Sequence, residues 1–348
     1  MSKQLIVDSD LGPIEASIED LVSSRLNSFE GWKCDAGIQN LYIDFDGRVW
    51  ISNCAGAPFN VVDLGARKPW GYLGKYNIEF PLPTSNVDCP KKYCGCGSDI
   101  VINKQRPGHT NLAGPAKIIP ITEVDTVNSV RTSYNLPKQI LWDIGRRCNY
   151  DCSYCWPSVH NTTDPHKNFD DLKFTADYCI DQWADGKKIN WYFGGGEPTL
   201  NPDFEAFVDY LSDRGQWIML VTNGSQGPSY WAKNADNYDT LIFSAHFEFM
   251  KPELFVKNFS KVVEVINNSP KKLSTFVVKL MTKPGEVEHS KNFVDKLKLE
   301  SNYHSLPPNI KDKIMFDMVP LRDIQQGSQL VDYTDHDLEQ VISFNLKR

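Results

Sequence analysis

The cysteines constrain this chain more than any other feature. There are nine in 348 residues, unevenly placed: five fall between Cys34 and Cys96, three between Cys148 and Cys155, and Cys179 stands alone. The opening stretch, Met1 to Leu11, mixes Ser, Lys and Gln with Asp8 and Asp10 and reads as no secretory h-region. Clustered thiols in such a chain are expected to be metal ligands rather than a disulfide framework. The tightest group runs Arg147-Cys148-Asn149-Tyr150-Asp151-Cys152-Ser153-Tyr154-Cys155. Three thiolates at C-x3-C-x2-C can wrap one corner of a cubane iron–sulfur cluster and leave its fourth iron open, unlike a closed electron-transfer cluster with four cysteine ligands. The competing reading is zinc on the same three cysteines plus His160 or His166, although structural zinc usually draws on separated C-x2-C pairs.

The surroundings of that triplet predict an α/β fold. From about Pro115 onward, short β-rich runs alternate with helical patterns. The candidate strands are Ile140–Arg146, Ile189–Phe193, Trp217–Val221, Leu241–His246, Phe276–Met281 and Ile314–Val319. Amphipathic stretches such as Asp170–Trp183 and Phe204–Arg214 lie between them, and Asp335–Asn345 reads as a closing helix. Strands separated by helices imply βα units and a parallel sheet, which right-handed crossovers curl toward a barrel. The first hundred residues differ, being rich in Gly, Pro and Asn. There Leu41–Phe45 alternates, Asp46-Gly47 supplies a type I′ turn signal, and Arg48–Ile51 resumes. That pairing brings residue 39 opposite residue 54, so Cys54 sits at the hairpin's open end with Cys34 a little beyond. The expected organisation is a small module over residues 1–115 and a larger domain over 116–348.

A second motif follows the second candidate strand: Phe193-Gly194-Gly195-Gly196-Glu197-Pro198-Thr199. The cysteine triplet, with aromatic Tyr154 before its last cysteine, and this GGEP-like turn one βα unit later together resemble the radical S-adenosylmethionine (SAM) superfamily. The resemblance covers about Lys138 to Val319 and implies a partial (β/α)6 barrel. It further implies a [4Fe–4S] cluster on Cys148, Cys152 and Cys155, with SAM on the open iron. Glycines leave the backbone bare for close approach, and Glu197 can accept a charge-assisted hydrogen bond from an ammonium group. The resemblance implies that Gly195, Gly196 and Glu197 hold the methionyl amine. It implies further cofactor contacts from Tyr154, from Thr222-Asn223 at the end of the third strand, and from Ser244 in the fourth. Reductive cleavage of SAM to a 5′-deoxyadenosyl radical, hydrogen abstraction from a substrate, and an external donor such as flavodoxin or ferredoxin complete that expectation. No residue is assigned as a general acid or base. Ser244, His246 and Glu248 share one face of their strand by period two. With Lys279 and Asp317 they are candidates for substrate contact. Cys179 reads as ordinary core.

The N-terminal cysteines Cys34, Cys54, Cys89, Cys94 and Cys96, ordered around a hairpin, resemble the SPASM and twitch auxiliary-cluster modules of that superfamily. Those modules normally follow the core, whereas this one precedes it. Four thiolates suffice for a second [4Fe–4S] cluster, and the expected set is Cys34, Cys54, Cys94 and Cys96, with Cys89 the spare. A structural zinc ribbon is the alternative. Auxiliary clusters in the superfamily imply a peptide or protein substrate, with small sugars or alcohols as the rival class. A non-catalytic iron–sulfur or zinc protein is the rival of another kind. The net charge of −7 argues against a nucleic-acid partner. Nothing approaches 18 consecutive apolar residues, so no membrane span and a cytoplasmic location are expected.

Overall fold

The computed structural model describes residues 5–45, 49–52, 85–89, 92, 94, 100–110, 116–117, 124–132, 137–155, 163–268, 272–323, 329–330 and 332–346. They divide into two compact units, one of residues 1–141 and 177–190 and one of residues 142–176 and 191–348. The boundary falls within two strands, Lys138–Asp143 and Ile189–Gly194, and within the helix Phe169–Tyr178.

The first unit is built from short strands drawn from distant parts of the chain. They are β1 (Leu5–Ser9), β2 (Gly12–Ala16), β3 (Lys33–Cys34), β4 (Asn40–Ile43), β5 (Val49–Trp50), β6 (Val87–Asp88), β7 (Lys104–Gln105) and β8 (Val127–Thr132). Six of them form one sheet in the order β2-β1-β8-β7-β3-β6, and helix α1 (Ile18–Ser23) follows β2. The unit extends past residue 115 because β8 pairs antiparallel along β1, Val7 opposite Val130. Leu5, Val7, Ile14, Phe29, Ile100 and Val130 lie at the centre of its core, all with no exposed surface. The predicted hairpin is present as β4 and β5, in a different register. Tyr42 pairs with Trp50 and Ile43 with Val49, whereas a two-residue Asp46-Gly47 turn would set Ile43 against Trp50. Burying Ile43 and Val49 as a directly opposed apolar pair outranks the turn preference, because a one-residue slip sends alternate side chains to the other face. Trp50 instead donates its indole N–H to Asp44 Oδ2 at 3.0 Å. The turn residues 46–48 and Cys54 lie outside the described residues.

The second unit holds the α/β architecture. Its strands β9 (Lys138–Asp143), β10 (Ile189–Gly194), β11 (Trp217–Thr222), β12 (Thr240–Ala245), β13 (Thr275–Thr282) and β14 (Ile314–Pro320) stand side by side in sequence order. Pairing is parallel from β11 through β14. All six candidate strands are present. Between and after them run α2 (Phe169–Tyr178), α3 (Phe204–Asp213), α4 (Pro228–Asn234), α5 (Pro252–Asn268), α6 (Val287–Glu300), the short α7 (Pro308–Lys311) and α8 (Asp335–Leu346). The stretch predicted as one helix over Asp170–Trp183 is α2 followed by a π-turn at Cys179–Trp183. Every residue of β12 is buried, as expected of a strand covered on both faces.

Period-two alternation decides which face packs on helices. Phe243 and Phe276 meet the α5 side chains Phe255 and Phe259, with ring centroids 5.7 and 5.4 Å apart. On the first strands Trp142 and Phe193 pack against Phe207 of α3 at 5.7 and 5.8 Å. Burial of these rings contributes roughly 2–3 kcal/mol each and orients the sheet. On the opposite face, polar Ser244, Lys279 and Asp317 stand among apolar side chains such as Ile242, Val277 and Met315. Among the described residues no helix is long and apolar enough to cross a membrane.

Candidate active site

The triplet loop leaves the end of β9 and is bound by its main chain to the glycine turn after β10. Ile144 N–H donates to Gly194 O at 3.1 Å, Gly196 N–H to Gly145 O at 2.8 Å and Glu197 N–H to Arg147 O at 2.7 Å. The strand ends therefore continue as a backbone zipper, and the glycines are what allow it. A Cβ on Gly195, which has φ +111°, would lie 2.5 Å from Gly145 O, and one on Gly196 would collide with the carbonyl oxygens of Arg146 and Arg147. The expectation that bare backbone serves an approaching ligand is thus refined. At Gly195 and Gly196 the vacated space is filled by the cysteine loop's own backbone.

Glu197 joins a third strand to this pair. It is 3% exposed, yet both carboxylate oxygens accept hydrogen bonds. Oε1 accepts from Thr199 N–H (3.1 Å), Thr199 Oγ1 (2.6 Å) and Thr222 Oγ1 (2.7 Å), and Oε2 accepts from Asn223 N–H at 2.6 Å. Burial pushes its carboxyl pKa up, and these donors pull it back. Asn223 in turn reaches the cysteines, its Nδ2 donating to Asn149 Oδ1 at 2.9 Å and lying 3.9 Å from Cys148 Sγ. Gly194–Glu197, Thr222-Asn223 and the cysteine loop, expected at one strand-end site, are brought together. Ser244 is buried near the end of β12, opposite Lys279 of β13, which is opposite Asp317 of β14. The three form one cross-strand row.

Within the loop, Cys148 accepts from Tyr150 N–H at 3.4 Å, and Cys155 N–H donates to Cys152 O at 3.0 Å. Burial raises the Cys148 thiol pKa and pushes Cys152 up to about 12. A bound metal must therefore displace protons from these sulfurs. Tyr154 does not face open solvent. Its ring stacks on His246 at 5.8 Å, with its hydroxyl 2.9 Å from His246 Nδ1. Burial also holds His246 down at about 4, so the imidazole is neutral near pH 7. Glu248, a candidate for substrate contact, accepts from Ser153 N–H and Oγ at 2.7 and 2.6 Å and pairs with Lys283 at 2.7 Å. Ser153, Thr199 and Lys283 are thus site residues that sequence reasoning passed over. Thr199 stood inside the quoted turn motif, while nothing local marks Lys283.

The donor set is three cysteine sulfurs on one loop, the ligand chemistry of an iron–sulfur cluster. Among the described residues no group of three His, Cys, Asp or Glu side chains is close enough to hold a single metal ion. His160 lies outside the described residues. His166 lines a small cavity with Arg146, Arg147, Glu197 and Asn201, and none of the residues lining it is a cysteine.

In the first unit Cys34, Cys89 and Cys94 are buried in one core with Phe29 and Trp32. Cys89, expected to be the spare, has its thiol against that of Cys34, and this contact and burial raise the Cys34 pKa far above its ordinary value. Cys94 is fixed by its N–H to Asn27 O at 2.9 Å and by Asn27 Nδ2 to its carbonyl at 3.1 Å. Lys104, 3% exposed, stands opposite Cys34 in register and donates to Ile102 O at 3.0 Å. Its charge pulls the Cys34 pKa down. Cys54 and Cys96 lie outside the described residues. Cys179 is buried in the π-turn, as expected of core.

Comparison with known proteins gives partial matches. Residues 142–297 match the model of the Radical SAM superfamily. Among curated proteins, an S-adenosylmethionine-dependent nucleotide dehydratase of Selenomonas ruminantium is 30% identical over 37% of this chain and 39% of its own length. An AdoMet-dependent heme synthase of Methanosarcina barkeri is 32% identical over 26% and 25%. A GTP 3′,8-cyclase of Nautilia profundicola is 31% identical over 34% and 37%. The chain thus spans well under half the length of these relatives, all of which are enzymes. Among solved structures, Streptococcus suis SuiB bound to precursor peptide SuiA is similar at 16% identity and a TM-score of 0.42, covering 60% of this chain and 46% of that one. The Radical SAM superfamily is supported by the family model and by these relatives.

Proposed function

We propose that this chain is a radical SAM enzyme, acting through a [4Fe–4S] cluster held by Cys148, Cys152 and Cys155. The observation that carries the reading is the convergence of three motifs far apart in sequence. The backbone zipper ties the cysteine loop to Gly194–Glu197, and Glu197 ties both to Thr222-Asn223. A cluster and SAM bound there supply one-electron cleavage of the C5′–S bond and a radical that abstracts a hydrogen atom. The chain's own residues orient and shield. Glu197 locks the turn through four hydrogen bonds, Asn223 fixes Cys148 and Asn149, and Tyr154 with His246 closes one side of the loop. Strand ends at the C-terminal side of a parallel sheet, in the partial (β/α)6 barrel we assign here, are where such sites are built. The electron comes from an external donor of the flavodoxin or ferredoxin kind, in the cytoplasm.

For substrate we favour a peptide or protein, modified by oxidation, crosslinking or epimerisation, over a small sugar or alcohol. The support is the contact of Cys34 with Cys89, with Cys94 in the same core and buried Lys104 opposite Cys34, which we read as part of a SPASM- or twitch-like auxiliary [4Fe–4S] site, with Cys54 and Cys96 completing the ligands. The differing reactions named for the relatives pass on no substrate. Anaerobic protein given dithionite and SAM is expected to release 5′-deoxyadenosine, quantified by mass spectrometry. Colourless protein with zinc at the loop and no 5′-deoxyadenosine overturns the reading in favour of a non-catalytic metal protein. A short precursor-peptide gene beside this one, whose product gains or loses mass with the enzyme, tests the substrate class.

A further inference from the structure

Ser153 lies between Cys152 and Cys155, and both its donors go to one carboxylate. Its N–H reaches Glu248 Oε2 at 2.7 Å and its hydroxyl reaches Glu248 Oε1 at 2.6 Å. Lys283, one residue past β13, bridges the same Oε1 at 2.7 Å. Two residues before Glu248, the His246 ring stacks on Tyr154 and shares a hydrogen bond with its hydroxyl. One residue after it, Phe249 stacks on Tyr150 with centroids 6.2 Å apart. Three of the four residues following β12, namely His246, Glu248 and Phe249, therefore grip the cysteine loop at Tyr150, Ser153 and Tyr154, on both sides of Cys152.

We propose that His246–Phe249 is a clasp for the cluster loop, with Glu248 its positioning residue and Lys283 the counter-charge that completes it. The inference rests on the radical SAM reading of that loop. Residues 148–155 form neither helix nor strand, so the loop must be ordered before three thiolates can meet three irons. That ordering costs about 1–2 kcal/mol per residue unless the fold has already supplied it. A carboxylate that captures an N–H and an O–H from one residue is a strong, directional anchor. Here it is mounted beside a rigid strand end, where site geometry is best held.

The clasp also sets two opposite charges beside the cluster. A carboxylate disfavours adding an electron to a nearby redox centre, and an ammonium favours it. A purely structural brace would not respond to charge in this signed way.

The test uses the full chain, reconstituted anaerobically with iron and sulfide, as wild type and as Glu248→Gln, Glu248→Ala and Lys283→Met. Iron and sulfide are counted, melting is followed, and the midpoint potential is taken from the EPR signal that changes when SAM is added. Glu248→Gln keeps an acceptor for Ser153, so it should retain its iron and shift the potential upward. Lys283→Met should shift it downward. Glu248→Ala should lose half or more of the iron bound at the loop. Unchanged potentials in Glu248→Gln and Lys283→Met, or shifts of the same sign, overturn the proposal even if Glu248→Ala fails to fold. A wild-type protein with no SAM-responsive cluster overturns the clasp together with the reading beneath it. Wild-type cluster with indifferent variants overturns the clasp alone.

Discussion

The two groups of cysteines sit in opposite kinds of environment. The Cys148–Cys155 loop is surrounded by polar side chains and backbone from strand ends that lie far apart in sequence: the Gly194–Glu197 turn, Asn223, and the His246–Glu248 segment. Cys34, Cys89 and Cys94 are embedded in one core with Phe29, Trp32 and the Ile100–Ile102 run, and buried Lys104 stands opposite Cys34. The first arrangement holds its sulfurs among hydrogen-bonding groups. The second also closes a hydrophobic core, so its thiols carry folding stability whether or not metal is present. Cys34, Cys89 and Cys94 are themselves members of that core.

The sharpest way to break this contrast is to remove one cysteine from each group. Cys152→Ala is expected to cut 5′-deoxyadenosine formation at least a hundredfold with little change in melting, since the thiol's role lies with the cofactor. Cys34→Ala is expected to leave SAM cleavage largely intact and to cost about 1–2 kcal/mol in denaturant unfolding. Equal losses of SAM cleavage in the two variants would erase the distinction. Next in size, Gly196→Ala forces a methyl group into the Arg146 and Arg147 carbonyls. A destabilisation of about 3 kcal/mol or more is expected, with loss of loop-bound iron. Glu197→Gln turns an acceptor into a donor facing another donor, the Asn223 N–H. It should cost about 2 kcal/mol and weaken SAM binding, read by unfolding and by equilibrium dialysis.

A smaller effect is pH-dependent. The folded pKa of His246, about 4, lies below its unfolded value near 6.5. Between those values the unfolded chain binds the extra proton, so this group's contribution to stability is full above pH 6.5 and falls with acidification toward pH 4. From pH 7 to pH 5 that amounts to about 2 kcal/mol. His246→Asn should flatten that part of the stability–pH curve, and an unchanged slope would contradict the burial assigned to the ring. Cys179→Ala, in the first unit but in neither group, should cost only about 1 kcal/mol and leave iron content alone.

The same contrast explains what was legible in the sequence. The six strands β9–β14 were readable because parallel strands covered on both faces form continuous apolar runs, as in Leu241-Ile242-Phe243, each closed by a turn. The loop and the glycine turn were readable because their chemistry is written within a few residues. The N-terminal sheet was not. β1 finds its partner β8 more than 115 residues away, and β3, β6 and β7 are two residues each. Such pairings leave no local periodicity to detect. The partners of His246 and Glu248 were not legible for a related reason. Period two gave their face, but not that Ser153, Tyr154 and Lys283 would arrive there from other loops. The hairpin register was missed because a turn preference was weighed without the burial of Ile43 and Val49.

The main-chain bonds between Ile144–Arg147 and Gly194–Glu197 limit how such a protein can change. Because the two segments share a hydrogen-bond register, inserting or deleting a single residue between Gly145 and Cys148 would put every later donor opposite the wrong acceptor. Substitutions in either segment can be absorbed one at a time, but their lengths cannot drift independently. Changes of chain length are therefore absorbed more readily in connections outside these two segments, where neither partner of the zipper is displaced.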